Sequence, residues 1–523
     1  MNTSIKVEKF VALKEGKTSS RFNPTVSAPL RWLKDSELGG ILGRSEERHE
    51  EYGKQALAQL GSLSENSDET VVRMDLLEPH IAVVVGTRGS GKSVTQGVLI
   101  EELASSKLAI GTIVIDRCGV YSGLGVANNN TRDQAELEKL RLNPQPLNRV
   151  RIFTVGNVKK ERIPFKLTTA DMKADDWIQF WNIPEEGTQA SLVRELINQV
   201  RKGYKTTHAD SVPATLDFTL SDLKSCLLDS TSILERYKSQ TIRSLLQRID
   251  SSDSLNLFAK KGTGIDELSV AGQVSVLNLS DSSIDGICAS KIVGIVARKI
   301  LNTRQDSIRD DVDYIPVTWL VIDEAHLYVG DSAKKSSSID LVSYCKLGRH
   351  PGCGLILGTQ QPAAMSQGVL SQADIVIAHQ LVLEADIIAL KKIIPAHLPH
   401  EMFSSSNLLR QLPPGYAVIA DKLTQERPVV AKIRPRKTRH DGNSSLPKML
   451  TEFTEPSKLS TPKDKNEPIS SKIAEQKKSD VPKNNKPKNL VIKSTQNPET
   501  IHIKGRPSVI KSIMKWVWNR VDI

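Results

Sequence analysis

Residues 81–93 join a run of Val and Ile to a glycine-rich segment that ends in lysine and serine. Gly86, four further residues, Gly91, Lys92 and Ser93 have the spacing of a phosphate-binding loop. In such a loop, backbone N–H groups and a helix N-terminus attract nucleotide phosphates. We therefore expect Lys92 to reach the β- and γ-phosphates of ATP and Ser93 to bind Mg²⁺.

The whole loop and the start of the next helix are expected to contact the nucleotide. The residues concerned are Gly86, Thr87, Arg88, Gly89, Ser90, Gly91, Lys92, Ser93 and Val94. A glycine-rich turn without a ligand is the alternative interpretation. The buried strand predicted before the loop and the apolar helix face predicted after it favour the nucleotide site.

A second chemical pattern is TWLVIDEAH at residues 318–326, where an apolar strand ends in paired acids. Asp323 is expected to hold Mg²⁺ through water, and Glu324 to act as general base on the attacking water. Acids that only improve solubility are the alternative. The phosphate-binding loop upstream favours the catalytic interpretation.

Two further strands end in polar residues. Residues 355–362, LILGTQQP, would place the Gln360 amide beside the acids, where it could sense the γ-phosphate or orient water. Asp116 ends the strand at 111–116 and is either a ligand at the sheet rim or a turn-capping aspartate; the sequence leaves both open.

Apolar runs at intervals along the chain predict further strands, at 150–155, 274–279, 373–378, 416–420 and 429–433. Helical periodicity dominates residues 168–260, which we interpret as a helical insertion. The fold class expected is α/β, with a mostly parallel sheet and helices on both faces.

The net charge of +11 arises from an excess of basic residues in the C-terminal part of the chain. Residues from 434 onward carry 20 Lys and Arg against 9 Asp and Glu, so residues 1–433 are formally neutral. The composition of residues 443–505 predicts a disordered basic linker, and residues 506–523 predict an amphipathic helix. Residues 1–79 are interpreted as an accessory segment with a helix near 46–60.

Targeting features are missing from the sequence. It has no apolar signal core and no stretch of the length that spans a bilayer. The five cysteines are scattered, without a C-x-x-C pair. We expect a cytoplasmic protein without structural zinc.

In their order, the motifs resemble those of HerA-type DNA translocases, in the HerA/FtsK division of RecA-like ATPases. The resemblance covers roughly residues 75–442, and we interpret residues 80–442 as the RecA-like ATPase core. It is carried by GTRGSGKS at 86–93, IDRCGVY at 115–121, VIDEAH at 321–326, LGRHPGCGL at 347–355, GTQQP at 358–362, LSQAD at 370–374 and RPRKTRHDG at 434–442.

The resemblance implies a homohexamer with double-stranded DNA in its channel. It also implies that Arg349, in the GRH turn, reaches the nucleotide of a neighbouring subunit. A nuclease or other effector partner is expected on the N-terminal segment or the C-terminal helix. The sequence departs from the family pattern at Arg88, Val120 and Gln361, and residues 1–79 are short and helical for the family's N-terminal β-barrel.

Three functions are consistent with these motifs. The leading interpretation is an ATP-driven motor that translocates on or unwinds double-stranded DNA. A nucleotide-gated ring that recruits an effector is the second. A conjugative coupling ATPase is the third, and the absence of a membrane-spanning stretch counts against it.

Overall fold

A large mixed sheet organises the protein. The computed structural model describes residues 40–64, 70–156, 162–330, 336–394, 407–423 and 428–441. The predicted linker at 443–505, the predicted helix at 506–523 and most of the segment 1–79 lie outside these residues. Within them, no helix combines the length and apolarity that crossing a bilayer requires.

Thirteen of the described strands form the main sheet, and β8 and β9 form a separate hairpin. The order in the main sheet is β1-β3-β2-β15-β14-β13-β4-β12-β11-β5-β10-β6-β7. The eight strands from β13 to β7 are parallel, as predicted. The strands are β1 Gly40–Leu42, β2 Leu57–Leu63, β3 Val71–Asp75, β4 Ile81–Val85, β5 Ile110–Asp116, β6 Val150–Thr154, β7 Ile163–Pro164, β8 Tyr204–Lys205, β9 Ser211–Val212, β10 Val274–Asn278, β11 Val317–Ile322, β12 Cys353–Thr359, β13 Ile375–Ala378, β14 Tyr416–Asp421 and β15 Val429–Ile433.

Helices cover both faces of this sheet, because alternate residues of the central strands enter two apolar layers. In β4, Val83 and Val85 join one layer, and Ala82 and Val84 join the other. The helices are α1 Glu46–Tyr52, α2 Lys92–Ser105, α3 Thr131–Lys139, α4 Ala174–Phe180, α5 Thr188–Lys202, α6 Leu220–Asp229, α7 Thr231–Arg236, α8 Ser239–Ser254, α9 Ile265–Leu268, α10 Gly286–Asp310, α11 Ser336–Leu347, α12 Gln367–Leu370, α13 Glu384–Lys391 and α14 Asn407–Gln411. The α/β fold class predicted from the sequence is confirmed.

The described part of the N-terminal segment differs from the prediction. The helix expected over 46–60 ends at Tyr52, because Gly53 adopts φ +51° and stops it. Residues from Leu57 onward instead form β2, which pairs with β15 and β3 at the antiparallel side of the sheet. Strands β1, β2 and β3 thus extend the core sheet, and the prediction of a helix as far as residue 60 was wrong beyond Tyr52.

The stretch 168–260 contains helices α4 to α8 and only the short hairpin β8–β9 among its described elements. Its apolar faces join the same layer as α10 and α11. Charged groups link it to the core as well, since Asp176 on α4 forms ion pairs with Lys291 and Arg298 on α10.

Residues 434–438 form a largely buried segment that packs against the C-terminal part of α2. The guanidinium of Arg434, which is fully buried, donates to Glu101 Oε2 at 2.9 Å and to Glu102 Oε1 at 2.7 Å. Glu101 also accepts from the backbone N–H of Lys437 and Thr438. The phosphate-loop helix is therefore fixed at its C-terminal end by charge pairs that water does not reach.

Arg434→Met is expected to lower the free energy of unfolding by about 3 kcal/mol, because it removes the nearer of the two arginines that pair with the buried carboxylate of Glu101 and leaves only Arg436, at 3.8 Å. Urea denaturation monitored by circular dichroism measures this. Arg439→Met is the matched control: Arg439 is 43% exposed and pairs with Asp441, so we expect a change below about 1 kcal/mol. Equal losses in the two variants would contradict the account.

Candidate active site

Four neighbouring parallel strands bring the predicted groups to one edge of the sheet. In the order β4, β12, β11, β5, each strand ends at the same side, because parallel strands share the direction of the chain. The phosphate-binding loop follows β4, Gln360 follows β12, and Asp323 and Glu324 follow β11. The elements that carry the predicted chemistry are thus adjacent.

Lys92 lies between the two acids and is 5% exposed. Its ammonium donates to Asp323 Oδ1 and, at 3.1 Å, to Glu324 Oε1. Burial favours the neutral amine, but the carboxylates of Asp323 and Glu324 outweigh it and raise the pKa of Lys92. The lysine therefore stays charged, as a group that binds phosphate must.

Glu324 is held in an unusual backbone conformation, with φ +52° and ψ +48°. This left-handed geometry costs a non-glycine residue roughly 1–2 kcal/mol. Gln360 Nε2 donates to its Oε1. Its Oε2 is buried, lies 3.5 Å from His326 Nδ1 and accepts no hydrogen bond from the described residues. A buried carboxylate oxygen with free lone pairs can accept a proton from a positioned water.

The other predicted loop residues differ in exposure. Arg88 and Gly89 face solvent, whereas Gly86 and Ser90 are buried and the Ser90 hydroxyl donates to Thr87 O at 2.8 Å. Gly91 adopts φ +120° directly before α2, a conformation that side chains disfavour. The helix N-terminus at Lys92 thus follows a loop whose shape depends on glycine.

His379, which no sequence motif marked, packs against the glycines of this loop. Its Nδ1 donates to Tyr416 O at 2.8 Å, so its Nε2 accepts from the Thr95 hydroxyl at 2.7 Å. Burial lowers its pKa to about 4, which keeps the ring neutral. Gly86 packs so closely against this histidine that an added Cβ at Gly86 would lie 2.7 Å from the Cβ of His379, which is too short for a normal contact. The only sequence signal was its position directly after a predicted strand.

We expect His379→Ala to raise the Kd for ATP by up to about 30-fold, since two hydrogen bonds worth about 1 kcal/mol each are lost beside the loop. His379→Asn, which retains a donor for Tyr416, should have a smaller effect. Calorimetric titration with MgATP, together with thermal melting of each variant, measures this. A melting temperature that falls while the Kd stays constant would contradict the role in loop support.

Asp116 has a structural role in its turn. Its carboxylate accepts backbone N–H bonds from Gly119 at 2.7 Å, Val120 at 3.1 Å and Tyr121 at 3.0 Å. These bonds fold the RCGVY segment onto the end of β5. Of the two interpretations left open by the sequence, the turn-capping aspartate matches the geometry.

Arg349 is the one predicted site residue that this chain does not bring to the others. It lies four residues before β12, where its guanidinium donates to Glu78 Oε2 at 3.1 Å. Glu78 lies just before β4, so both residues are at the edge where these strands begin. The length of β4, roughly 15 Å, separates that edge from Lys92. Arg349 is 62% exposed and therefore accessible to another molecule.

Comparisons with known proteins agree with these motifs. Residues 58–300 match the model of the family described as helicase HerA, central domain. The DNA double-strand break repair helicase HerA of Saccharolobus solfataricus is 25% identical over 419 residues, covering 78% of this chain and 73% of that protein. The protein of the same name from Sulfurisphaera tokodaii is 24% identical over 426 residues, covering 78% and 73%.

Among solved structures, VirB4 of Thermoanaerobacter pseudethanolicus aligns with a TM-score of 0.48 and 14% identity. The alignment covers 73% of this chain and 96% of that one.

Proposed function

We propose that this chain is an ATP-driven motor on double-stranded DNA, because residues 58–300 match the model of the HerA helicase central domain and a relative named HerA is 25% identical over 78% of this chain. The observation that supports this most is the contact of Lys92, at the end of the phosphate-binding loop, with both Asp323 and Glu324 at the end of β11. A group that can bind phosphate thereby lies within hydrogen-bonding distance of a group that can activate water.

The proposed roles follow the chemistry of each group. Lys92 and the backbone N–H groups of the loop bind the phosphates, which displace part of the contact between the lysine and the acids. Glu324 accepts the proton of the attacking water through Oε2, and Gln360 keeps the carboxylate oriented by its hydrogen bond to Oε1.

The oxygen ligands present suit Mg²⁺. Ser93 would offer a hydroxyl and Asp323 a carboxylate, both hard ligands. Mg²⁺ held by one or two side chains takes its remaining ligands from substrate phosphates and water. When bound, the ion would neutralise the charge that develops on the phosphates.

We further propose a homohexameric ring around the DNA. Arg349 lies at the edge opposite its own phosphate loop, so it can stabilise a transition state only on another copy. Contacts between unlike edges of successive copies close into a ring when the rotation from one copy to the next divides a full turn.

ATP hydrolysis measured with and without duplex DNA tests the motor. We expect duplex DNA to stimulate turnover severalfold and Lys92→Ala to abolish it. Lys107→Ala, which removes an exposed lysine just after α2, is the control and should behave as wild type. Equal turnover with and without DNA would contradict the motor and favour the nucleotide-gated ring.

A further inference from the structure

Two short segments flank the phosphate-binding loop on the side away from the acids. Residues 380–383, the first wall, follow β13, and residues 413–416, the second wall, lead into β14. Because β14 is antiparallel to β13, with Ala378 opposite Val418, the start of β14 lies at the edge where β13 ends. Both walls are therefore at the same edge of the sheet as the phosphate loop.

Backbone hydrogen bonds fix both walls to the loop. Thr87 N–H donates to Gln380 O at 2.9 Å, which joins the first wall to the loop. Gly415 N–H donates to Ser90 O at 2.8 Å, which joins the second wall to it. Leu381 N–H donates to Leu409 O at 3.0 Å. The two walls and the loop thus form a continuous hydrogen-bonded unit.

The catalytic groups set the direction of a bound triphosphate. Glu324 and Gln360 belong to β11 and β12, which lie on one side of β4, so the terminal phosphate must point that way. The base and ribose then extend to the other side of β4. The strand on that side is β13, followed by β14.

The two walls expose apolar side chains on the side of β4 where the base and ribose would lie. Val382 is 54% exposed and Leu383 is 62% exposed in the first wall. Pro414 is exposed and Pro413 is half-buried in the second. Sites for small ligands combine apolar surface with a few polar groups, and a nucleobase presents a flat, weakly polar face. Neither proline has an N–H group that would require a polar partner.

We propose that these two walls bind the base and ribose of the nucleotide, with Val382, Leu383 and Pro414 against the base. This rests on the proposed function, since it assumes that the loop binds a nucleoside triphosphate. Phosphate contacts and base contacts are then separate, and changing the walls should alter recognition of the nucleoside without altering recognition of the phosphates.

Calorimetric titration of the full chain with MgATP and with magnesium tripolyphosphate, which lacks base and ribose, tests this. For Val382→Ser/Leu383→Ser and for Pro414→Ala, the Kd of ATP should rise roughly five- to twentyfold. The Kd of tripolyphosphate should change less than about twofold, which also shows that the loop is folded. Leu216→Ser, at a leucine 75% exposed in the helical insertion, is the control and should change neither value.

Photolabelling of the wild-type chain with 8-azido-ATP gives a second measurement that needs no variant. Label in peptides that contain 380–383 or 413–416 supports the proposal, and label confined to other peptides overturns it. An unchanged Kd for ATP in the variants also overturns it while leaving the nucleotide site intact. Equal losses for ATP and tripolyphosphate overturn it as well, because the walls would then act on the phosphate loop and not on the base. If the wild-type chain binds neither ligand, the proposed function fails, and the walls fail with it.

Discussion

Glu324→Gln is expected to lower kcat for ATP hydrolysis about 10³-fold while ATP remains bound. The amide cannot accept a proton from water, and general-base catalysis contributes roughly 10²–10⁴-fold. It can still accept hydrogen bonds from Lys92 and Gln360, so the site keeps its shape. Steady-state hydrolysis in saturating duplex DNA and calorimetric binding of MgATP measure the two effects separately.

A matched control is Glu235→Gln, at an exposed glutamate on α7, which should retain wild-type turnover. A Glu324→Gln variant whose kcat lies within about threefold of wild type would show that another group accepts the proton. Loss of ATP binding together with kcat would show that Glu324 supports the site without acting as a base.

Arg349→Ala is expected to lower kcat by about 10³-fold or more, the range found for arginines that stabilise phosphoryl transfer from a neighbouring subunit. The folded chain should be little affected, because Arg349 is 62% exposed and its pair with Glu78 is a surface salt bridge. Hydrolysis assays and thermal melting test both statements.

Arg309→Ala provides the comparison for Arg349, since Arg309 is a 68% exposed arginine that also pairs with acids on the surface. It should hydrolyse ATP at the wild-type rate. If the two arginine variants were equally active, Arg349 would have no role in the reaction and the composite site would be wrong.

The sequence predicted the parallel part of the sheet well because its strands are buried on both faces. β4, β5, β11 and β12 read as continuous apolar runs, and each ends in a polar or glycine-rich segment. The order of these strands in the sheet could not be predicted from the apolar runs. The motifs nevertheless placed Lys92, Asp323 and Glu324 at strand ends. The roles given to these residues stay predictions.

The antiparallel side of the sheet was harder to predict. In β2, intermediate and buried residues mix around a register shift between Gln59 and Gly61, which obscures the strand periodicity. His379 was missed for a different reason. Its role depends on Thr95 and the Tyr416 carbonyl, and both lie far from it in sequence and become neighbours only when β13, β14 and α2 pack.

Mixing two inactive variants tests the composite site most directly. In a ring of equal parts Glu324→Gln and Arg349→Ala, a site that combines the intact glutamate of one copy with the intact arginine of the next is complete, and random mixing makes about a quarter of the sites complete. If the site is composite, DNA-stimulated ATP hydrolysis in the mixture will lie far above that of either variant alone. A mixture as inactive as its components would contradict a composite site.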